Sequence, residues 1–316
     1  MARRTQLAPA RRPAIATDII PVTPRPLFGA ALTLGSAVLF GLSTPLAKPL
    51  LTDTSPIVIA GLLYAGAGIG LAIVDRLAGP LRIPRARRVS GYQWRWLAIS
   101  VLFGGIFGPL LLLTGLQRTE ASTASLLLNL EAVLTALVGW LVFREGLTAR
   151  VVAGLGVMLA GAITVSWQGT PTLTGFIGPL AVIGACLSWG IDNNLVRRIA
   201  AADPIQISAI RGAVAGTFNL GLAAVLGAPW PGTWGAVAVA GTIGFFGYGL
   251  SLVLFVIALR HLGAARTAAF FSAGPFVGAL AGVVMLGEPL TVTLGIAAAL
   301  MAAGAWLSLG ARAATD

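Results

Sequence analysis

Ten apolar runs, each close to the roughly 20 residues a helix needs to cross about 30 Å of hydrocarbon, follow one another along this 316-residue chain with short polar interruptions between them. They lie near residues 28–47, 56–74, 96–116, 122–143 and 149–167 in the first half, and near 175–196, 205–227, 235–258, 264–286 and 290–309 in the second. Only 10% of the residues are charged while 57% are hydrophobic, a balance that no water-facing surface can accommodate. Within lipid the backbone must satisfy its own hydrogen bonds, and runs of this length do so as α-helices. The expected fold is therefore an all-α integral membrane protein with ten transmembrane helices, surrounded by membrane lipid.

The formal net charge of +11 does not point to nucleic acid, because the cations sit at the ends of apolar runs and not on one aromatic-interleaved face. Their distribution reads instead as topology. With the amino terminus in the cytoplasm, the inner side receives eighteen of the twenty-one basic residues, among them five Arg from residues 1–27 and six from the 75–95 loop. The outer side receives Lys48 and Arg118, and Arg211 falls within a span. Such a bias predicts an inner-membrane protein with both termini cytoplasmic. Residues 1–27 read as a disordered basic tail and 310–316 as a short cytoplasmic one. Trp94, Trp96, Trp167, Trp230 and Trp234 fall near predicted span ends, where indoles form interfacial belts.

The two halves are related. Laying residues 114–148 over 257–291 without a gap matches Ala136, Leu137, Gly139, Glu145, Leu147 and Thr148 with Ala279, Leu280, Gly282, Glu288, Leu290 and Thr291. A second register sets Gly35, Phe40, Gly41 and Lys48 over Gly184, Trp189, Gly190 and Arg197. Five spans per repeat is an odd number, so the halves, 28–167 and 175–309, cross the membrane in opposite senses. Charge agrees, since the 75–95 loop has six Arg and its counterpart at 228–234 has none.

An apolar span closing in FREGLT (143–148) or LGEPLT (286–291), with FG (40–41) or WG (189–190) opening each half, resembles the EamA family of the drug/metabolite transporter superfamily. The resemblance covers residues 28–309. It implies two inverted five-helix repeats around a central cavity that carries amino acids, other metabolites or drugs, frequently outward. It does not imply one substrate.

Ionisable groups within the membrane are costly, about 2.5–3.5 kcal/mol each on insertion scales, which makes them candidates for function. Glu131 falls near the middle of the fourth span and suits either a substrate ammonium or a proton; its repeat mate is Gly274. Asp192, followed by Asn193 and Asn194, lies in the sixth span at a depth similar to that of Arg211 in the seventh, so an ion pair between them is expected. Arg211 would alternatively meet a substrate carboxylate or snorkel to headgroups. Asn129, Asn193, Trp189, Tyr248, Phe271 and Ser272 complete the candidate binding or coupling set, with close helix packing assigned to glycines at four-residue spacing such as Gly274, Gly278 and Gly282. Glu145 and Glu288 are expected to cap the helix that follows each of them.

Other classes find no support. A nucleotide-driven pump needs a GxxxxGK[ST] loop, absent around Lys48, and no HExxH or GxSxG occurs. The lone His261, placed in a solvated loop, and the lone Cys186 supply no metal site or disulfide, so no metal or cofactor is expected and the chain is read as a transporter and not an enzyme. The expected substrate is a small molecule, an amino acid or similar metabolite for export, moved by rocking of 28–167 against 175–309. The alternatives are a broad-substrate drug or nucleotide-sugar-like efflux carrier and, in another class, a scaffold or channel that does not transport.

Overall fold

The computed structural model describes residues 25–78, 89–144, 146, 148–166, 173–199, 203–262 and 264–312. Residues 1–24 of the expected basic tail, most of the Arg cluster of the 75–95 loop, Glu145, Trp167 and the last four residues lie outside them. Among the described residues there is no strand. The first and second spans are α1 (Pro26–Ala47), extended by a 3-10 turn at Lys48–Leu51, and α2 (Pro56–Ala78). The third runs through α3 (Gln93–Ser100), a π-helical turn at Val101–Phe107 and α4 (Gly108–Leu116), and the fourth is broken into α5 (Ala121–Leu127) and α6 (Leu130–Phe143). The fifth to seventh are α7 (Ala149–Ser166), α8 (Leu173–Val196) and α9 (Pro204–Val225). The eighth is α10 (Trp234–Gly244), a π-helical turn at Phe245–Leu250 and α11 (Ser251–Leu262); the ninth is α12 (Ala264–Phe271) and α13 (Gly274–Leu286), and the tenth is α14 (Val292–Arg312). Among the described residues nine of these spans are long and apolar enough to cross a bilayer, and the tenth contributes the shorter apolar stretch Val292–Ser308.

Irregularities recur at the repeat spacing, so they are part of the design and not accidents of one helix. The π turns of the third and eighth spans fall on equivalent segments, each carrying two glycines. The breaks at 128–129 and 272–273 also correspond, and each is mended the same way: Asn129 Nδ2 donates to the Leu126 carbonyl at 3.0 Å, and the Ser272 hydroxyl donates to the Ala269 carbonyl at 2.7 Å. A broken helix loses regular backbone pairing that lipid cannot replace, and at each break a side chain adds a donor to a nearby carbonyl. At the ends of these spans Arg144 and its mate Gly287 both adopt left-handed geometry, φ 56° and 67°, a C-terminal stop of the αL type.

The repeats interlock. The first span of the first half, α1, packs against α11 and α13 of the second half, while its counterpart α8 packs against α4 and α6 of the first. The glycines of the FG and WG motifs make this possible. A Cβ on Gly41 would run into the Gly274 carbonyl, and one on Gly190 would sit 2.9 Å from the Thr135 nitrogen. Pairings α2 with α9 and α7 with α14 close the structure, α2 and α9 meeting so tightly that a Cβ on Gly212 would lie 2.6 Å from the Gly68 Cα.

His261 differs from expectation. It belongs to the last turn of α11, where its ring meets Phe28 edge-on with centroids 5.3 Å apart. The apolar periodicity of α11 runs on through Leu262 and carries the imidazole into the helix.

Candidate functional site

Chain direction gives the molecule two ends, one holding Pro26 at the start of α1 and one holding Lys48. At the Lys48 end the half-helices α5 and α13 pack together; at the Pro26 end α6 leans on α8, and α12 leans on α1, α11 and α14, so that α6 and α12 diverge. The broken spans thus meet across the repeats at the Lys48 end and lean on different neighbours at the Pro26 end.

At mid-depth between these segments stands Glu131, in the first turn after the break in the fourth span. It lies deep among the helices yet keeps part of its surface open, as a cavity wall does. Its Oε1 accepts from Asn193 Nδ2 at 2.8 Å, and the same amide reaches the Thr135 hydroxyl at 3.3 Å. Asn194, next to it on α8, donates to the carbonyls of Thr135 and Gly190 at 3.0 and 2.8 Å, fixing α8 on α6. Among the described residues no cation salt-bridges Glu131.

Asp192 and Arg211 do meet. Arg211 Nη2 donates to Asp192 Oδ2, and the Ser100 hydroxyl donates to Oδ1 at 2.5 Å, with Asp192 only 3% exposed. The pair is seated against the π turn of the third span at Gly104, where any Cβ would overlap both ionic groups. Around it, side chains collect the carbonyls of that turn. Ser188 donates to Phe103 at 2.8 Å, Trp189 Nε1 and the Tyr64 hydroxyl both donate to Gly104 at 3.1 and 2.6 Å, and Asn219 donates to Gly105 at 3.3 Å. Trp189 and Asn129 are thus buried and engaged with backbone, Asn129 turning toward Met301 of α14.

Aromatic rings fill the space between the halves. Tyr248 lies 5.6 Å from Tyr64 and 6.1 Å from Phe40, centroid to centroid, and Phe271 lies 5.5 Å from Phe40 and 5.0 Å from Phe255. Tyr248, Phe271 and Ser272 are half-buried, and Glu131 is within electrostatic reach of Tyr248, Asp192 and Arg211. Sequence reasoning did not single out Phe40 as a ring of this cluster, nor Tyr64, Ser100 and Thr135. For Phe40 and Tyr64 the available signal was a lone aromatic inside an apolar run, which most often reports packing alone. The arrangement can do one thing chemically: present a carboxylate, held by a neutral amide, within electrostatic reach of the Tyr248 hydroxyl.

The cap expected of Glu288 also differs. Glu288 does not cap α14; its Oε1 and Oε2 accept the backbone N–H groups of Ala121 and Ser122 at 2.6 and 2.7 Å, at the start of the fourth span in the other repeat. The helix that follows is capped by the threonine of the same motif, Thr291 accepting from the Leu294 N–H at 3.1 Å, as Thr148 accepts from Val151 at 3.3 Å. A threonine directly before the helix is in register for its first N–H groups, which leaves the glutamate free to reach across.

Interlocked inverted repeats with broken helices, π turns and a polar centre define a membrane carrier fold. A family model described as the EamA-like transporter family matches the chain twice, over residues 27–167 and 176–310, and the chain belongs to that family, within the drug/metabolite transporter superfamily. It is 29% identical to an uncharacterised transporter of Methanothermobacter thermautotrophicus over 90% of this chain and 86% of that protein. It is 25% identical to the uncharacterised transporter YvbV of Bacillus subtilis, covering 81% and 83% of the two chains. A shorter match, 37% identical over 85 residues, links 27% of this chain to 73% of a probable 4-amino-4-deoxy-L-arabinose-phosphoundecaprenol flippase subunit, ArnE, of Yersinia pestis. A crystal structure at 22% identity superposes with a TM-score of 0.63 over 91% of this chain and 99% of the other, which shows the same fold. The protein is a multi-pass membrane transporter.

Proposed function

We propose that this transporter moves a small amine-bearing metabolite, an amino acid in the first instance, out of the cytoplasm across the cell inner membrane. The observation that carries this reading is the charge balance of the centre. Asp192 and Arg211 neutralise each other, Glu131 is held by an amide alone among the described residues, and a single uncompensated carboxylate within the membrane suits an ammonium by charge. Arg211, being occupied, gives no support to recognition of a substrate carboxylate. The basic residues of the loops and tails assign the Pro26 end and both termini to the cytoplasm, so Glu131 is reached from the cytoplasmic side.

Packing also revises which parts move. Because α1 is lodged in the second repeat and α8 in the first, halves 28–167 and 175–309 do not separate without unpacking these helices. Spans one, two, eight and nine form one body and three, four, six and seven the other, with α2 and α9 at their boundary and the α7–α14 pair beside them. Alternating access is rocking of these mixed bodies about that boundary.

A second reading keeps the same site. The ArnE-type relative is named for a lipid-linked amino sugar, and an amine is common to that cargo and to an amino acid. Counterflow in proteoliposomes, with labelled amino acids, an amino-sugar phospholipid, a nucleotide sugar and a cationic dye, separates the possibilities. Saturable exchange of an amine-bearing solute, reduced at least about tenfold by Glu131→Gln, is expected. Exchange of anionic solutes alone, or undiminished exchange by that variant, would sink the proposal.

A further inference from the structure

We propose that Glu288 is a positioning residue that holds the exit of the transport path shut, and that Ser122 and Ser125 line that exit when it opens. This rests on the transport reading above but concerns a different end of the molecule.

The contacts at the Lys48 end join the two mixed bodies. Glu288, at the end of the ninth span, accepts two N–H groups from the start of the fourth, and Lys48, at the end of the first, donates to the Thr119 carbonyl in the turn before the fourth. Lys48 Nζ also stands 3.7 Å from Glu288 Oε1, which steadies the carboxylate without taking it from the backbone donors. Spans one and nine belong to one body and the fourth to the other, so every one of these bonds to the 119–122 segment must break if the bodies part here.

Below this tie the seam between α5 and α13 has the character of a surface made to separate. Its second wall is glycine: a Cβ on Gly282 would lie 2.7 Å from the Ser122 nitrogen and 2.8 Å from Glu288 Oε2, and one on Gly278 would lie 2.6 Å from Ser125 Oγ. Facing these glycines, the hydroxyls of Ser122 and Ser125 are buried with no hydrogen-bond partner. A buried hydroxyl without a partner is unfavourable, and a site that only packed helices would use alanine, as Ala121 and Ala124 do on the same helix. Two such hydroxyls on one seam are accounted for if the seam has a second state in which water and solute reach them. The path from Glu131 then continues past the break at 128–129 along Ser125 and Ser122 to the Lys48 end.

The test uses the full chain in proteoliposomes, with Cys186→Ala removing the one native cysteine. Single cysteines at Ser122, Ser125 or, as a reporter of the opposite end, Asn193 are labelled with a membrane-impermeant maleimide from each side. Adding Glu288→Gln is expected to raise labelling of positions 122 and 125 from the Lys48 side at least about tenfold, the scale of losing a pair of charge-assisted bonds. Labelling at 193 from the Pro26 side should fall together with it. Lys48→Gln should act in the same direction more weakly. Unchanged labelling at 122 and 125 in both variants would overturn the proposal, and so would a rise on both sides at once, which reports loosening of the fold. Because labelling needs no substrate, reciprocal labelling without amine exchange would leave the gate standing and remove the substrate reading, whereas amine exchange with unaltered labelling would do the reverse.

Discussion

At equivalent corners of its two repeats the protein does quite different things. Where the sixth span meets the π turn of the third, Asp192 is bonded to Arg211 and Ser100 beside Gly104. Where the first span meets the π turn of the eighth, the position equivalent to Asp192 is the neutral Ser43, whose hydroxyl donates to the Phe40 carbonyl at 2.6 Å and also meets the Tyr248 side chain, close against Gly247. Helix contact is secured in both corners, in the second partly by Ser36 donating to the Ser251 carbonyl at 2.6 Å. The fold therefore asks only for a glycine and a close approach at this place. Charge is an addition made once, and the same holds for Glu131, whose mate is Gly274. What the repeats share builds the carrier; what they do not share surrounds the proposed cargo.

The comparison breaks or stands first on stability. Arg211→Ala would leave the Asp192 carboxylate buried without its partner, a loss of about 3–5 kcal/mol for a buried pair. Ser43→Ala removes only neutral hydrogen bonds, to the Phe40 carbonyl and the Tyr248 side chain, and should cost about 1–2 kcal/mol. Unfolding free energies in mixed micelles would measure both, and equal costs would mean that the ionic corner is as loosely coupled to the fold as the neutral one. Replacing both ionic partners together by leucine and methionine sharpens the point, since recovery of most of the loss would show that the pair is dispensable to folding.

Much of this was legible in the sequence because the signals were redundant. Ten spans follow from length and apolarity, and their observed ends lie within a few residues of the expected ones, for example Ala149–Ser166 against 149–167. The family followed from motifs whose physical parts are now visible: Gly41 and Gly190 for close approach, Thr148 and Thr291 for capping. Long-range partnership was not legible. Nothing about Glu288 in a linear pattern distinguishes a cap on the next helix from one on a helix 167 residues away. Likewise the lodging of α1 in the second repeat comes from the close fit of Gly41 against Gly274, which no single-chain periodicity encodes. Asp192 and Arg211 were within reach because two opposite charges at similar depth in lipid have few other partners. The aromatic wall was half-seen, as Tyr248 and Phe271, since an aromatic in an apolar run carries no mark of which way it faces.

The next test concerns the ends of the broken spans, where the repeats agree in backbone and differ in residue. Gly287 and Arg144 both hold a left-handed conformation, with nothing within 4 Å of a Cβ added to Gly287. Gly287→Ala therefore meets no steric neighbour and should lose about 1–2 kcal/mol through φ, of which the stiffer unfolded chain returns about 0.4–1 kcal/mol, leaving a net loss of about 1 kcal/mol. A smaller loss in the same unfolding assay would indicate that this end relaxes freely, which would weaken Glu288 as a fixed support one residue later.

Arg144→Gly is the mirror experiment and the smallest effect. Glycine would remove the cost of about 1–2 kcal/mol that an L-residue meets in this conformation, but it would also free the unfolded chain by about 0.4–1 kcal/mol. The net is a stabilisation between about 0 and 1.6 kcal/mol, less whatever the Arg144 side chain itself contributes. Arg144 is exposed and accepts this strain at the Pro26 end, where the positive-inside argument gives a guanidinium its use as a topology signal. Glycine there should then stabilise the folded protein slightly while lowering the fraction inserted with its amino terminus in the cytoplasm, read by protease protection of a tag. If stability fell instead, the side chain and not the backbone would be what this position selects, and the likeness of the two span ends would be one of shape without common cause.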